Sequence, residues 1–254
     1  MRIALFSDLH SNLPAIESCL ADAKSRGFDQ VAILGDIVGY GPHPAELVDL
    51  CISLQSEGAI VLKGNHDEFQ DLTRDNGQPL PANDQFIAAA WTSQVLNDGQ
   101  RKWLSELPFT HTLNSVHLVH ATADAPEAWH YSSDPHRAER SLQAACANPA
   151  VRYVFCGHVH HQTLFYAGTT KTLMPFTPRP GVPIPVGTHR RWLASVGSVG
   201  QPRDGDPRAN YAIMDTDRNL LTFYRVAYDI RATVDAIVAA GLPEGLAQRL
   251  EQGE

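Results

Sequence analysis

Sulfur chemistry is nearly absent from this chain. Among its 254 residues there are four cysteines, Cys19, Cys51, Cys146 and Cys156, and no two stand as Cys-x-x-Cys. Each sits in an apolar context. That argues against a Cys-based structural zinc site and reads as buried free thiols of a reducing compartment. No apolar run approaches the length needed to cross a bilayer. The opening MRIALFSDLH reaches an acidic residue too soon for the apolar region of a secretory leader, so a soluble cytoplasmic protein is expected. Positive charge is scarce too: 20 Lys and Arg stand against 28 Asp and Glu, a net charge of −8. Such a balance gives no general electrostatic grip on nucleic acid or anionic lipid. An anionic substrate is still allowed, because a bound dication reverses the local field.

What is present alternates. Residues 2–7 (RIALFS), 30–34 (QVAIL) and 59–63 (AIVLK) are short apolar runs of strand formers. Between them, 14–26 and 44–57 place apolar residues at helical spacing. Each is opened by a proline (Pro14, Pro44) and closed by a glycine (Gly27, Gly58). The alternation predicts βαβ units and a parallel sheet covered on both faces. Helices are expected at 85–98 and 134–147, and strands at 116–119 and 151–156. From about residue 163 short runs (TLFY, RWLAS, NYAIM, LLTFYRV) between Gly, Pro and Asp suggest antiparallel strands. Residues 174–189 are Pro-rich and read as a surface loop or edge excursion, and 230–251 as a last helix. Apolar residues make up 43% of the chain, ample for a core. With no repeat, linker or long charge run, residues 1–254 read as one domain.

Polar residues fall where these strands end. After the first come Asp8 and His10, after the second Asp36, and after the third Asn65, His66 and Asp67. His120 follows VHLV, and His158 and His160 follow VRYVFC. The carboxyl ends of strands in an α/β sheet share one edge, where ligands bind. Asp8, His10, Asp36, Asn65, His120, His158 and His160 are too many for one tetrahedral zinc, which takes about four ligands. They suit two divalent cations sharing a carboxylate. Carboxylate, amide oxygen and imidazole without thiolate favour manganese, iron, zinc, nickel or cobalt. Two such cations can clamp both oxygens of an in-line phosphoryl displacement.

The elements SDLH, GDIVGYGP, GNHD, a later His and GHVH, in that order, resemble the calcineurin-like metallophosphoesterase superfamily, and more narrowly its small bacterial and archaeal phosphoesterases. SVGSVGQPRDGDPRANYAIMD is similar to the closing strands of that subgroup, with Ser195-Val196 where Asn-Pro is usual. The resemblance implies an α/β fold: a four-layer α/β/β/α sandwich of two mixed sheets with helices outside. It implies Asp8, His10 and His160 on one metal, Asn65, His120 and His158 on the other, and Asp36 bridging. Manganese is the favoured ion. It further implies a metal-bridging hydroxide as nucleophile, His66 protonating the leaving alkoxide or stabilising its charge, and Asp67 orienting His66. The substrate expected is a small phosphodiester, nucleotide or phosphomonoester, with an asymmetrical dinucleoside-polyphosphate hydrolase as the alternative. No Arg follows Asp36 closely, and Gly-Asn-His-Asp replaces Gly-Asn-His-Glu. Both differences lower the protein-phosphatase and symmetrical-hydrolase readings. A non-catalytic interaction module on the same fold is the remote alternative.

Several of these residues also have plainer readings. Asp67 can be a helix N-cap, Asn65 a cap of the helix after its strand, and His120 an interior histidine satisfied by backbone. Tyr40, His43 and His130 are substrate-pocket candidates, though a turn at Pro42 and Pro44 explains the first two nearly as well. His117 reads as packing, His161 as a loop residue, and His111, His136 and His189 as surface. Arg179, Arg190 and Arg203 read as solvated arginines in preference to phosphate contacts. Oligomeric state is left open.

Overall fold

In β1 (Arg2–Phe6), Ile3 and Leu5 face one way and Ala4 and Phe6 the other, and all four are fully buried. A strand apolar on both faces needs cover on both. In the computed structural model, which describes residues 1–72, 83–167 and 173–254, β1 has that cover. One sheet runs in the order β3 (Ile60–Val61), β2 (Gln30–Ile33), β1, β11 (Ala209–Asp215), β12 (Leu220–Val226), β9 (Ile184–Pro185). The other runs β4 (Thr110–Leu113), β5 (Val116–Val119), β6 (Tyr153–Cys156), β10 (Trp192–Val196), β7 (Gln162–Ala167), β8 (Leu173–Phe176). Ile3, Leu5, Ala32 and Leu34 of the first sheet pack against Leu118, Tyr153, Phe155 and Ala194 of the second.

The alternate residues face outward onto helices. α1 (Leu13–Arg26), α2 (Pro44–Ser56) and α5 (Asp98–Ser105) cover the first sheet through Ile16, Cys19, Leu47, Cys51 and Leu104. α6 (Pro135–Ala145) covers the second through Ala138, Leu142 and Ala145. The result is four layers, helices outside two mixed sheets. α3 (Asn65–Leu72) follows β3, and α4 (Asp84–Val95) packs in a satellite cluster with α7 (Ile230–Ala239) and α8 (Glu244–Gln252). All four cysteines are free and buried. Among the described residues no helix is long and apolar enough to cross a membrane.

The structure corrects several expectations. The parallel core is two trios, β3-β2-β1 and β5-β6-β10, each extended by antiparallel partners. RWLAS is therefore antiparallel to β7 but parallel to β6. Ser195 and Val196 continue β10, and the turn comes next, at Gly197 (φ 82°). The helix expected at 85–98 stops at Val95, because the Asn97–Gln100 capping box starts α5 instead. The last helix is two, broken by Gly241 (φ 69°) and Pro243. The Pro-rich segment supplies the outermost strands β8 and β9, one for each sheet, where a missing N–H is tolerated. β4 was not expected; it forms a hairpin with β5 through Asn114 (φ 54°).

Candidate metal centre

The two parallel trios end at one place. Asp8 N–H donates to Gly35 O (3.0 Å), His158 N–H to the Asp8 carboxylate (3.0 Å), and Gly157 N–H to His120 O (2.9 Å). Little room separates these turns. A Cβ on Gly64 would lie 2.2 Å from the Asp36 amide nitrogen, and one on Gly157 would lie 1.8 Å from Ser7 Oγ. Asp8, His10, Asp36, His158 and His160 all adopt φ between 45° and 66°. Left-handed backbone costs a non-glycine residue on the order of 1 kcal/mol, and such strain concentrates at functional sites. Five cases within one cluster mean the turns are shaped by what their side chains do.

The imidazoles are oriented from outside. His10 Nδ1 donates to Val38 O (3.2 Å), His120 Nδ1 to Leu34 O (2.8 Å), His160 Nδ1 to Gln201 O (2.5 Å) and His158 Nε2 to Trp129 O (2.9 Å). A carbonyl oxygen only accepts, so each of these nitrogens carries the proton. The other nitrogen of each ring then turns a lone pair inward. His10 Nε2 faces His160 Nε2 at 3.2 Å, and His120 Nε2 faces His158 Nδ1 at 3.2 Å and Asn65 Oδ1 at 3.3 Å. Facing lone pairs repel unless a proton or cation lies between them. A carbonyl behind each ring is the usual support of a metal-binding histidine.

Asp36 joins the two pairs. Its Oδ1 accepts the His66 N–H (2.8 Å), while Oδ2 lies 3.7 Å from His10 Nε2 and 3.4 Å from His120 Nε2. Asp8 Oδ1 is 3.2 Å from His160 Nε2. Two groups of buried ligand atoms result, Asp8–His10–Asp36–His160 and Asp36–His120–His158, with Asp36 in both. The donor set is nitrogen and oxygen only and fits divalent cations.

Burial alone would raise the Asp8 carboxyl, but His160 beside it holds it well below the usual range. Asp36 is likewise held down, against burial, by His120 and His66. Without cations, burial opposes a charge on His120, yet Asp36 pushes it up to about 9. Burial dominates at His66 and His158, each pushed down to about 4.

A family model described as the calcineurin-like phosphoesterase superfamily domain matches residues 1–219. The chain belongs to this superfamily. The uncharacterized protein MJ0912 of Methanocaldococcus jannaschii is 33% identical over 264 residues, covering 99% of this chain and 98% of that protein. The crystal structure of a metallophosphoesterase from Sphaerobacter thermophilus is 36% identical, with a TM-score of 0.82 over the whole of both chains. Hypothetical protein PH1004 from Pyrococcus horikoshii OT3 shares the fold at 17% identity, with a TM-score of 0.76 over 100% of this chain and 98% of that one.

Around these two ligand groups the other candidate residues divide. Asp67 accepts four backbone N–H groups, from Gly64, Asp36, Ile37 and Val38 at 2.8–3.2 Å. It therefore ties the turn after β2 to the turn after β3. Burial and the Asp36 charge push its carboxyl up to about 7, against those donors. The His66 ring lies 4.9 Å from His10 and 4.5 Å from Tyr40, centroid to centroid. Tyr40 is inside the site. His43 is the N-cap residue of α2, with a buried Nδ1 that has no hydrogen-bond partner. His130 is half-buried, and it is its neighbours that touch the centre: the carbonyl of Trp129 and the ring of Tyr131, stacked 4.1 Å from His158. His117 is half-buried in β5 and paired with Thr112 Oγ1 (2.8 Å); His111, His136 and His189 are exposed. His161 is exposed and donates to Arg203 O (2.5 Å).

Sequence reasoning missed the loop after β10. Ser198 Oγ donates to Asp8 O (2.9 Å), and the Gln201 carbonyl holds His160. The repeated Ser-Val-Gly at residues 195–200 was the available signal. Arg179 and Arg190 are exposed as expected, but Arg203 is half-buried, its guanidinium 5.6 Å from the Tyr40 ring.

Proposed function

We propose that the protein is a dinuclear-metal phosphoesterase hydrolysing a small phosphodiester, nucleotide or phosphomonoester. One observation carries the reading: a single carboxylate oxygen, Asp36 Oδ2, lies between inward-facing imidazoles of two separate ligand groups. Asp8, His10 and His160 would hold one cation and Asn65, His120 and His158 the other, with Asp36 shared. Manganese heads the candidates, ahead of iron, zinc, nickel and cobalt. When bound, the cations supply charge neutralisation for the phosphoryl oxygens and an acidified water as nucleophile for in-line attack.

The chain's own residues orient and complete that chemistry. The Asp36 and Asp67 hydrogen bonds fix the His66 main chain over the centre. His66, with its Nδ1 edge against Gly39, delivers a proton or a hydrogen bond to the leaving oxygen. Tyr40 on one side, against His66, and Trp129 and Tyr131 on the other, against His158, flank the centre and would border the substrate. An asymmetrical dinucleoside-polyphosphate hydrolase is the narrower alternative. One cytoplasmic domain is part of the reading, supported by the four free buried thiols and by the packing of the α7–α8 cluster on Tyr40.

The test is turnover by chelator-stripped protein reloaded with each metal separately. The panel compares an aryl diester, an aryl monoester, cyclic nucleotides and dinucleoside polyphosphates. Hydrolysis that returns with metal supports the reading. No hydrolysis with any metal would move it to an interaction module.

A further inference from the structure

Two arginines meet on a ring that borders the centre. Arg203, in the loop after β10, and Arg249, in α8, place their guanidinium carbons 5.6 Å and 5.9 Å from the ring centroid of Tyr40. That ring is 4.8 Å from His10 and 4.5 Å from His66. Both guanidiniums are half-buried and close enough that Arg203 disfavours the charge on Arg249, after burial itself. Asp84 and Glu254 offset part of that repulsion at Arg249, yet two guanidiniums held against one ring still favour a further anion between them.

Both guanidiniums keep donors to spare, even with Arg203 also hydrogen-bonded to the Tyr40 side chain. Arg203 directs Nε (3.2 Å) and Nη2 (2.7 Å) to the neutral Gln201 Oε1. Arg249 gives Nε to the Glu254 main-chain oxygen (3.2 Å). A guanidinium carries five N–H donors. The Gln201 side chain, almost wholly buried, keeps its Nε2 unpaired beside them. The placement is also supported from behind: Arg203 N–H reaches His160 O (3.4 Å), and His161 holds Arg203 O.

We propose that Arg203, Arg249 and Tyr40 form a subsite for a second anionic group of the substrate, next to the phosphoryl group held at the metal centre. The substrate class is then a phosphoester or phosphoanhydride with a second phosphate, as in nucleoside polyphosphates. This rests on the phosphoesterase reading and narrows it. Arg249 lies beyond the part of the chain that the family model matches, so this half of the subsite is carried by the C-terminal helices.

Calorimetric titration of the manganese-loaded protein tests it with three non-hydrolysable probes: methylphosphonate, methylenediphosphonate and phosphonoacetate. A diphosphonate also chelates cations, so the readout is the change on substitution. Arg203→Ala and Arg249→Ala should each weaken methylenediphosphonate by roughly 10–100-fold, the scale of a charge-assisted hydrogen bond. Methylphosphonate should weaken several-fold less. Arg203→Lys and Arg249→Lys keep the charge and should recover part of the loss, which guards against a folding defect in the alanine variants. Phosphonoacetate separates a phosphate-specific subsite, where it loses little, from one that also takes carboxylates, where it loses as much. Equal losses for methylphosphonate and methylenediphosphonate, or no loss for either, overturn the subsite while leaving ester hydrolysis intact. Absence of hydrolysis in wild type overturns the enzyme reading and leaves these binding ratios readable.

Discussion

At the scale of single residues, His66 and Asp36 are bound to each other through one hydrogen bond, yet their loss should read out differently. His66 is placed against His10 and Tyr40 and is outside both ligand groups. His66→Asn keeps the main-chain bond to Asp36 and removes the imidazole. Metal content by elemental analysis should stay near two per chain while kcat on an alkyl phosphate ester falls roughly 10²–10⁴-fold, the scale of a lost general acid. Unchanged turnover would remove His66 from the mechanism. Asp36→Asn keeps shape but loses the charge that both groups share. Both metals should then bind more weakly, and full occupancy of two sites in the variant would defeat the bridging assignment. Asp67 has a role beyond what residue-level reading gave it. Its place after Gly-Asn-His suggested a partner of His66 or a cap, and it does accept the local Gly64 N–H; the other three backbone N–H groups it accepts span a fold-dependent gap of about 30 residues that no local spacing encodes.

At the scale of elements, whatever repeats locally was legible. The βαβ units at 2–61 follow from Pro14, Gly27, Pro44 and Gly58 and from strands apolar on both faces. The ligands stood out because each is a polar residue directly after an apolar run. Elements defined by their neighbours were not legible. β8 and β9 are strands because a sheet edge accepts them, despite their prolines, and α5 begins only because Asn97 prefers a cap to a helix interior. Arg203 reads as a solvated arginine in preference to a phosphate contact, since the residue it meets over Tyr40, Arg249, comes from α8, which lies far along the chain. One contact between elements gives a pH-dependent prediction. Asp22 of α1 accepts from Arg26 (2.8 and 2.9 Å) and from the Tyr211 hydroxyl of β11 (2.5 Å). Tyr211 stacks on Phe6 and Tyr224, and Arg26 lies 4.1 Å over the Tyr224 ring. Hydrogen bonding from Arg26, chiefly, holds the Asp22 carboxyl below its usual value. A depressed carboxylate contributes stability that is present above its unfolded pKa of about 3.9 and fades as pH falls through the folded value. Thermal melts in chelator should therefore show Asp22→Asn less stable than wild type at pH 7, with the gap closing as pH falls through the depressed folded value. A gap of the same size on both sides of that value would mean that the carboxylate charge contributes nothing.

At the scale of the whole molecule, the centre is a junction. Asp8, His10, Asp36 and Asn65 come from the ends of β1, β2 and β3, and His120, His158 and His160 from the ends of β5 and β6. Each sheet alone offers an incomplete set. The sheets are joined along most of their length by apolar packing of Ile3, Leu5 and Leu34 on Leu118, Tyr153 and Phe155. At this edge they instead meet through buried carboxylates, facing imidazole lone pairs and left-handed turns, none of which stabilises the folded state unaided. Divalent cations that bind the assembled edge and not the unfolded chain would stabilise the fold by about 4 kcal/mol at a free concentration 1,000 times Kd. Chelation should therefore lower Tm by several degrees, with manganese restoring it in a concentration-dependent way. The same treatment should raise hydrogen exchange chiefly at residues 7–11, 35–41, 157–162 and 197–203, the turns that carry or brace the ligands. The central strands β1 and β6 should be affected much less, because their cover is hydrophobic. A melt indifferent to chelator and manganese, with metal loss confirmed by elemental analysis, would mean that the two sheets hold this edge together without the ions. The polar centre would then have to be stabilised by proton sharing within the imidazole pairs, and its melting temperature would track pH instead of metal.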